Sequence, residues 1–263
     1  MKPTRGMQFL GCIALILLAA TAGLNAAPAG LAEADALLKS PTLDIPQAEQ
    51  ALALYQGLLA SNAAPRPLVL ARLGRTCFIL GQLTPKKYCE GHYRRGKVYA
   101  ETLINEAPNR VEGHYWLALN LCGIADVCGY MEARRLLPLI MRELERAVAL
   151  NENYDQAGAH RVLGRIYYEA PDWPLSVGDL HKSLKHLESA VRLAPENSTN
   201  HLYLAQTLYR LHERVLAQRE LAQVLQSTRH ADKPQDLEED KREARRLLAE
   251  MEQPGSAGLG SSP

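Results

Sequence analysis

The sequence is poor in aromatic residues and carries almost no net charge. Of its 263 residues only 6% are Phe, Trp or Tyr, and 30 Lys and Arg stand against 29 Asp and Glu. A composition this close to neutral does not imply a strongly basic face, so we expect no nucleic acid as its partner. The abundant residues Ala, Leu, Glu, Arg and Gln all favour helices. Composition therefore favours an all-α fold over a β-rich one.

The sequence also lacks the motifs of common catalytic and cofactor sites. It contains no G-x-S-x-G, H-E-x-x-H, phosphate-binding loop or G-x-G-x-x-G pattern. It has no C-x₂-C pair of the kind that holds structural zinc. We therefore expect a protein that is not an enzyme and that needs no cofactor and no metal.

Only one long hydrophobic run is present, and it lies at the N-terminus. Lys2 and Arg5 precede an apolar stretch over residues 10–20, which small residues follow. This order predicts a secretory signal peptide over residues 1–29 and a periplasmic or secreted protein. Cleavage can follow Ala22, Ala26 or Ala29. The alternative is an uncleaved anchor, although the run is shorter than the about 20 residues of a membrane span. Membrane contact is expected only in that case.

Four cysteines remain after the predicted signal peptide, and an even number suits an oxidising compartment. We predict two local disulfides, Cys77–Cys89 and Cys122–Cys128, because each pair brackets a predicted helix end and the turn after it. The alternative is four separate thiols, with Cys77 and Cys122 as small core residues.

An internal repeat is the most informative feature of the remaining chain. The pattern His-x-x-Leu-[Ala/Gly] begins at His114, His160 and His201, and a fourth copy around Leu73-Gly74 lacks the His. Each copy starts an amphipathic helix that a second helix follows. Prolines end two of the second helices, because a proline ring cannot continue a helix. These are Pro108 and Pro195.

The repeat resembles the tetratricopeptide repeat, a helix-turn-helix unit with Leu-Gly-x-x-Tyr on its first helix and Ala…Pro on its second. The clearest copy runs from Leu163-Gly164 through Tyr167 to Ala190 and Pro195. The resemblance implies an all-α, right-handed α-solenoid of four helix pairs within a domain over residues 30–252. We expect two N-terminal helices, over 31–39 and 46–60, and a C-terminal capping helix over 236–251. Residues 253–263 are Gly- and Ser-rich and predict a flexible tail.

Three copies carry extra residues between their helices, over 84–95, 123–134 and 171–179. With these insertions, residues 70–225 resemble the T component of tripartite ATP-independent periplasmic (TRAP) transporters, most specifically over residues 155–205. That resemblance implies a periplasmic protein that docks the transporter's solute-binding protein. Members of that family are often lipid-anchored, whereas the only cysteine near this apolar run, Cys12, stands at its beginning.

The tetratricopeptide resemblance also implies a concave groove lined by the first helix of each pair. Side chains two before, two after and five after the repeat Leu are expected to face it. The third copy is notable because two arginines and a tyrosine share one stripe, which suits an acidic ligand. The predicted groove residues are Arg75, Phe78, Tyr115, Leu119, Arg161, Arg165, Tyr168, Gln206 and Tyr209. Arg161 and Arg165 can alternatively pair with acids of the chain itself, such as Glu169.

The repeated histidines invite a metal hypothesis, but equivalent positions on successive repeats lie about 8–10 Å apart or more, too far to share one ion. We interpret His114, His160 and His201 as packing between paired helices, and His181 and His186 as solvated. The predicted function is non-catalytic protein binding. The alternative is binding of a small anionic or amphipathic ligand in the groove, and homo-oligomers are compatible with either.

Overall fold

The computed structural model describes residues 29–172, 175–228 and 234–252. That part of the chain consists of eleven α-helices and contains no β-strand; an isolated bridge joins Asp172 and Gly178. The helices are α1 (Ala29–Leu38), α2 (Ile45–Ser61), α3 (Arg66–Leu83), α4 (Glu90–Glu106), α5 (Val111–Cys128), α6 (Tyr130–Asn151), α7 (Tyr154–Glu169), α8 (Leu180–Leu193), α9 (Ser198–Arg210), α10 (Arg214–Gln226) and α11 (Pro234–Glu252).

Short polar residues fix where several helices begin. Asp44 accepts a hydrogen bond from the backbone of Gln47, whose side chain accepts one from the Asp44 backbone, and together they form a capping box. Asp179 and Asn197 likewise accept backbone N–H groups at the starts of α8 and α9. Each cap satisfies amide donors that have no partner within the helix. The sequence therefore sets these boundaries locally.

Consecutive helices pack against each other, and four pairs follow α1 and α2: repeat 1 (α3–α4), repeat 2 (α5–α6), repeat 3 (α7–α8) and repeat 4 (α9–α10). First helices of successive repeats also contact each other, as α3 does α5 and α7 does α9. Their apolar faces form successive core clusters along the chain. This is the predicted all-α solenoid of tetratricopeptide-like pairs.

The small residue after the repeat Leu permits the close approach that the pattern predicts. A Cβ added at Gly164 would lie 2.5 Å from Cγ of Leu187 on the partner helix α8. Ala118 and Ala205 occupy the same position in repeats 2 and 4 and are fully buried. Larger side chains would force the paired helices apart.

The extra residues of repeat 2 lengthen its helices instead of forming a loop. Of the segment 123–134, all but Gly129 is helical, so α5 and α6 are 18 and 22 residues long. Repeat 4 has no insertion, and its two helices have 13 residues each. The insertion therefore makes α6 the longest of the described helices, while α5 has the same length as α3.

The last helix, α11, packs on α9 and α10 as the predicted cap. Leu237, Ala244, Leu247 and Met251 are buried on its apolar face. The buried carboxylate of Asp240 accepts hydrogen bonds from Ser198 and Thr199 at the start of α9, at 2.6 and 2.8 Å. The capping helix is thus held by both apolar and polar contacts.

The predicted signal peptide (1–29) lies outside the described residues apart from Ala29, and the predicted tail (253–263) lies wholly outside them. Among the helices that the structure does describe, none combines the length and apolar content needed to cross a membrane.

Candidate functional site

The nine predicted groove residues lie on α3, α5, α7 and α9, as expected from the repeat, but they differ in exposure. Tyr115 and Leu119 are buried, whereas the other seven are half-buried. Contacts divide the set into two parts. One part, which we call the aromatic cluster, lies in the N-terminal repeats and consists of Arg75, Phe78, Tyr115, Trp116 and Tyr154. The other part, which we call the polar ladder, lies in the C-terminal repeats and the last helix and consists of Arg165, Tyr168, Tyr203, Gln206, Arg210, Glu243 and Arg246.

The aromatic cluster is centred on Trp116, which sequence reasoning had not selected. Phe78 lies 6.0 Å from Trp116 between ring centroids, and the Arg75 guanidinium stands 6.0 Å above the indole. The indole N–H donates to the Tyr154 hydroxyl at 2.9 Å, and Tyr115 packs edge-on against both rings. The cluster therefore joins repeats 1, 2 and 3. Its predicted members serve mainly as packing between repeats.

The polar ladder begins at Arg165. Its guanidinium donates to the Gln206 side-chain oxygen at 2.7 Å and forms an ion pair with Glu169 at 2.6 Å. The same guanidinium stands 5.0 Å from the ring centroid of Tyr168 and 4.7 Å from that of Tyr203. Arg165 keeps about a third of its side-chain surface exposed. It is a preorganised cation with aromatic faces beside it, already neutralised by an acid of the chain.

The ladder continues onto the capping helix. The Gln206 amide donates to Glu243 of α11 at 3.4 Å, and Arg246 binds the same carboxylate. The Arg246 hydrogen bond lowers the pKa of Glu243, so this carboxylate is charged near neutral pH. From α9, Arg210 stands 4.7 Å above the Tyr168 ring. Sequence reasoning missed Tyr203, Arg210, Glu243 and Arg246 because only packing brings their helices together.

A strained turn at the start of α7 explains the position of Arg161. Asp155, Gln156 and Ala157 have φ values of 51°, 56° and 59°, a left-handed conformation that costs about 1–2 kcal/mol per non-glycine residue. Arg161 donates to the Gln156 carbonyl at 3.2 Å and lies 3.5 Å from the Asp155 carboxylate. Its guanidinium therefore pairs with internal groups, the alternative that the sequence left open.

Neighbouring repeats hold the same turn from both sides. The Tyr115 hydroxyl of α5 donates to the Asp155 carboxylate at 2.5 Å, and burial raises the pKa of Tyr115 well above its ordinary value. The Asn197 amide at the start of α9 donates to the Gln156 side chain at 2.8 Å. A Cβ added at Gly158 would lie 2.2 Å from the Tyr115 hydroxyl oxygen. Glycine is thus required where α7 passes α5.

The repeated histidines pack between paired helices, as predicted. His114 bonds Glu143 of α6 at 2.6 Å through Nδ1 and the Pro108 carbonyl at 2.9 Å through Nε2. His201 repeats the arrangement with Glu220 at 2.6 Å and the Pro195 carbonyl at 2.8 Å. We call this contact the His–Glu latch, because it ties the second helix and the preceding turn to the first helix. Nowhere in the described ranges do three His, Cys, Asp or Glu side chains converge on a possible metal position.

The third histidine has a different partner. His160 Nδ1 lies 3.0 Å from His186 Nδ1, where repeats 2 and 4 place a glutamate. The prediction that His186 is solvated was wrong: this ring is half-buried and stacks on Tyr167 at 5.7 Å between centroids. Burial lowers the pKa of His160 and lowers that of His186 to about 4. His181, by contrast, is exposed.

The two predicted disulfides are absent, and Cys77, Cys89, Cys122 and Cys128 are all free thiols. Cys122 and Cys128 lie on one helix, six residues apart, so their Cα atoms are about 9 Å apart along the axis, beyond the reach of a disulfide. The Cys89 thiol instead donates to the Lys86 carbonyl at 3.3 Å. Burial raises the pKa of Cys77 and of Cys122 to about 12. The alternative of small core residues fits Cys77, which is buried, and Cys122, which is half-buried and packs against the core.

The fold and the contacts between its repeats define a helical-repeat protein of the tetratricopeptide class. A crystal structure of a thermophilic tetratricopeptide protein from Thermus thermophilus superposes with a TM-score of 0.60. The match covers 83% of this chain and 97% of that one at 21% sequence identity, which supports the shared fold.

Residues 31–175, more than half of the chain, match the family model described as Regulator of microtubule dynamics protein 1-3. The chain belongs to that family. The matched range runs from α1 to just beyond α7 and so contains the aromatic cluster and the strained turn. None of the curated proteins matches the sequence.

Proposed function

We propose that the chain is a non-catalytic adaptor that binds a protein partner through the polar ladder, in the periplasm or outside the cell. The observation that carries this proposal is the setting of Arg165, half-exposed between Tyr168 and Tyr203 on successive first helices. Tyrosine and arginine are the residues that most often dominate the energetics of protein interfaces. Tetratricopeptide-type folds commonly serve protein recognition, and an acidic partner segment would suit this cation.

The partner that we propose from the sequence resemblance is the solute-binding protein of a TRAP transporter. The family model names regulators of microtubule dynamics. We infer that the shared property is the helical framework for protein binding, because the predicted signal peptide would separate this chain from the cytoskeleton. A small anionic ligand would meet the same Arg165 guanidinium and is the alternative.

The ladder can be tested by site-specific photocrosslinking in cells that produce the chain. A photoreactive residue at Tyr209, on the predicted stripe, should give a discrete protein adduct. One at Val215, which is exposed on α10 outside the stripe, should not. The adduct should weaken with Arg165→Ala. Equal adducts at both positions, or a co-purifying small molecule without any adduct, would contradict protein binding at the ladder.

Two further variants separate binding from folding. Glu169→Gln removes the internal acid from Arg165 and should increase the yield of an acidic partner, while this exposed pair contributes at most about 1 kcal/mol to stability. Arg161→Ala should instead lower the melting temperature, because Arg161 holds the strained turn. If Glu169→Gln reduced the adduct, the ladder would not be a site for an acidic segment.

A further inference from the structure

The extra residues of repeats 1 and 2 meet at one end of the paired helices. The turn before α4 contacts the end of α5, since the Lys86 ammonium lies 3.0 Å from the Asp126 carboxylate. Glu90 of α4 lies against the Cys128 thiol at the end of α5, and that contact contributes to a lowered pKa of Glu90, after the larger effect of Arg94. Together these segments border a cleft of about 770 Å³. We call this region the turn cleft; its lining residues are Arg94, Cys128, Met131, Glu132, Arg134 and Arg135.

The turn cleft carries large apolar side chains that have no packing role in this chain. Tyr88 is 67% exposed, Tyr130 is 65% exposed and Met131 is 74% exposed. They stand on the turn before α4 and on the first turn of α6. Tyrosine, methionine and arginine are enriched at protein interfaces relative to the remaining surface. Met131 lines the cleft itself, Tyr130 precedes Met131 in the chain, and Tyr88 lies on the turn that Lys86 ties to the end of α5. Such exposed apolar side chains indicate a surface that another molecule covers.

The turn cleft is also the basic part of a chain that is otherwise balanced. Segments 84–98 and 126–135 together contain seven Lys and Arg but three Asp and Glu, and in the part of the chain that the structure describes only Lys97 pairs with an acid outside them, Glu101. The three acids within the segments already have basic partners: Glu90 pairs with Arg94, Glu132 with Arg135, and Asp126 with Lys86. Among the described residues, no carboxylate lies within ion-pair distance of Lys87 or Arg134, and the Lys87 ammonium rests over the Tyr88 ring. Positive charge therefore remains unneutralised beside exposed aromatic rings.

We propose that the turn cleft is a second docking surface, separate from the polar ladder, for an acidic polypeptide segment that carries apolar anchors. Charge complementarity selects the acidic character of the partner, and the exposed Tyr130 and Met131 select its apolar side chains. An anionic lipid surface carries the same charge and is a separate outcome of the test. Residues that depart from the tetratricopeptide period form the turn cleft.

The test uses the full chain and fluorescein-labelled poly(Glu,Tyr), with poly(Glu) and phosphatidylglycerol vesicles as the comparison probes. Wild type should bind poly(Glu,Tyr) more tightly than poly(Glu), with affinity that falls as salt rises. Lys87→Glu with Arg134→Glu should weaken binding at least tenfold while leaving the melting temperature unchanged, because neither residue has a carboxylate partner. Tyr130→Ser with Met131→Ser should abolish the preference for poly(Glu,Tyr).

Matched controls lie on exposed helix faces elsewhere. Arg242→Glu with Arg245→Glu makes the same charge change on α11, and Val215→Ser with Leu216→Ser removes exposed apolar area on α10. Both pairs should leave binding unchanged. Equal loss in the α11 control, or no binding of poly(Glu,Tyr) by wild type, would overturn the proposal. Vesicle binding that is lost with the cleft variants while polypeptide binding is unaffected would show a lipid surface instead.

Discussion

Repeat 3 differs from repeats 2 and 4 at the same position of the same helix. Repeats 2 and 4 tie the first-helix histidine to a glutamate and to a proline carbonyl. In repeat 3, His160 contacts His186 where the other two repeats have a glutamate. Tyr154 occupies the position of the proline. In place of the proline turn, repeat 3 has the strained left-handed turn that Tyr115, Arg161 and Asn197 hold.

The strained turn at the start of α7 is an irregular junction between repeats 2 and 3, and contacts from neighbouring repeats hold it in place. A His–Glu latch is confined to its own repeat and the turn before it. The contacts that replace it in repeat 3 come from α5, α7 and α9, so they tie three repeats together. The turn of repeat 3 therefore depends on polar contacts from its neighbours, in a fold where stability is otherwise close to a sum over neighbouring repeats.

The largest effect is expected from Gly158→Ala. The added methyl would overlap the buried Tyr115 hydroxyl, which its bond to Asp155 holds in place, so the free energy of unfolding should fall by about 3 kcal/mol. Urea unfolding measures the change. Gly57→Ala is the control: nothing lies within 4 Å of the added atom, and alanine should stabilise that exposed helix site by up to about 1 kcal/mol. If Gly158→Ala lowered the free energy of unfolding less than the loss of a His–Glu latch does, the turn at the start of α7 would not be the most sensitive contact between repeats.

Removing the glutamate of a His–Glu latch should lower the free energy of unfolding somewhat less than Gly158→Ala does. Glu143→Ala leaves His114 without its side-chain partner in a buried site and should lower the free energy of unfolding by about 2–3 kcal/mol. Glu220→Ala should cost less, about 1–2 kcal/mol, because its side chain keeps more contact with water. Thermal unfolding of the two variants under identical conditions measures the difference. Equal losses would mean that burial does not set the strength of the latch.

A smaller effect is expected from acid. The unfolded histidines take up protons near pH 6.5, whereas burial lowers the folded-state pKa of His160 and lowers that of His186 to about 4. The unfolded state then binds more protons, so this pair loses its stabilising contribution as the pH falls from about 6.5 towards 4. A His160→Gln and His186→Gln double variant should show a shallower dependence of the melting temperature over that range. An identical dependence would show that other groups cause it.

The smallest change at neutral pH is expected from His186→Glu, which gives repeat 3 the partner found in repeats 2 and 4. For His201 burial opposes protonation, but its bonds to Glu220 and Pro195 outweigh burial and raise its pKa. A glutamate at position 186 should act on His160 in the same way, with a stability change of about 1 kcal/mol or less at pH 7. The sign of the pH dependence should reverse, because a raised pKa stabilises the fold below pH 6.5 and that contribution is lost as pH rises through the folded-state value. NMR titration of His160 gives the direction directly, and a pKa still below the usual value would refute the equivalence.

The repeat pattern made most of the helices predictable. The two N-terminal helices and the capping helix lie within one or two residues of their predicted bounds, because capping residues and apolar periodicity are local properties. The packing role of His114 and His201 also followed from spacing. The predicted disulfides were wrong, because the positions of two cysteines around a predicted helix end do not show which way their thiols point. Cys122 and Cys128 in fact lie on the same helix.

By itself the sequence determined the fold class, since regular Leu and Ala spacing with strong helix formers allows few structures other than stacked helix pairs. Only the tertiary structure decided which predicted groove residues remain available. Tyr115 and Leu119 are buried, Arg161 holds a turn, and Arg165 stays half-exposed beside Tyr203 from the next repeat. Helical spacing gives the face on which a side chain stands, whereas its partners depend on how neighbouring repeats pack. In this chain the left-handed turn at the start of α7 is where side chains of repeats 2, 3 and 4 meet.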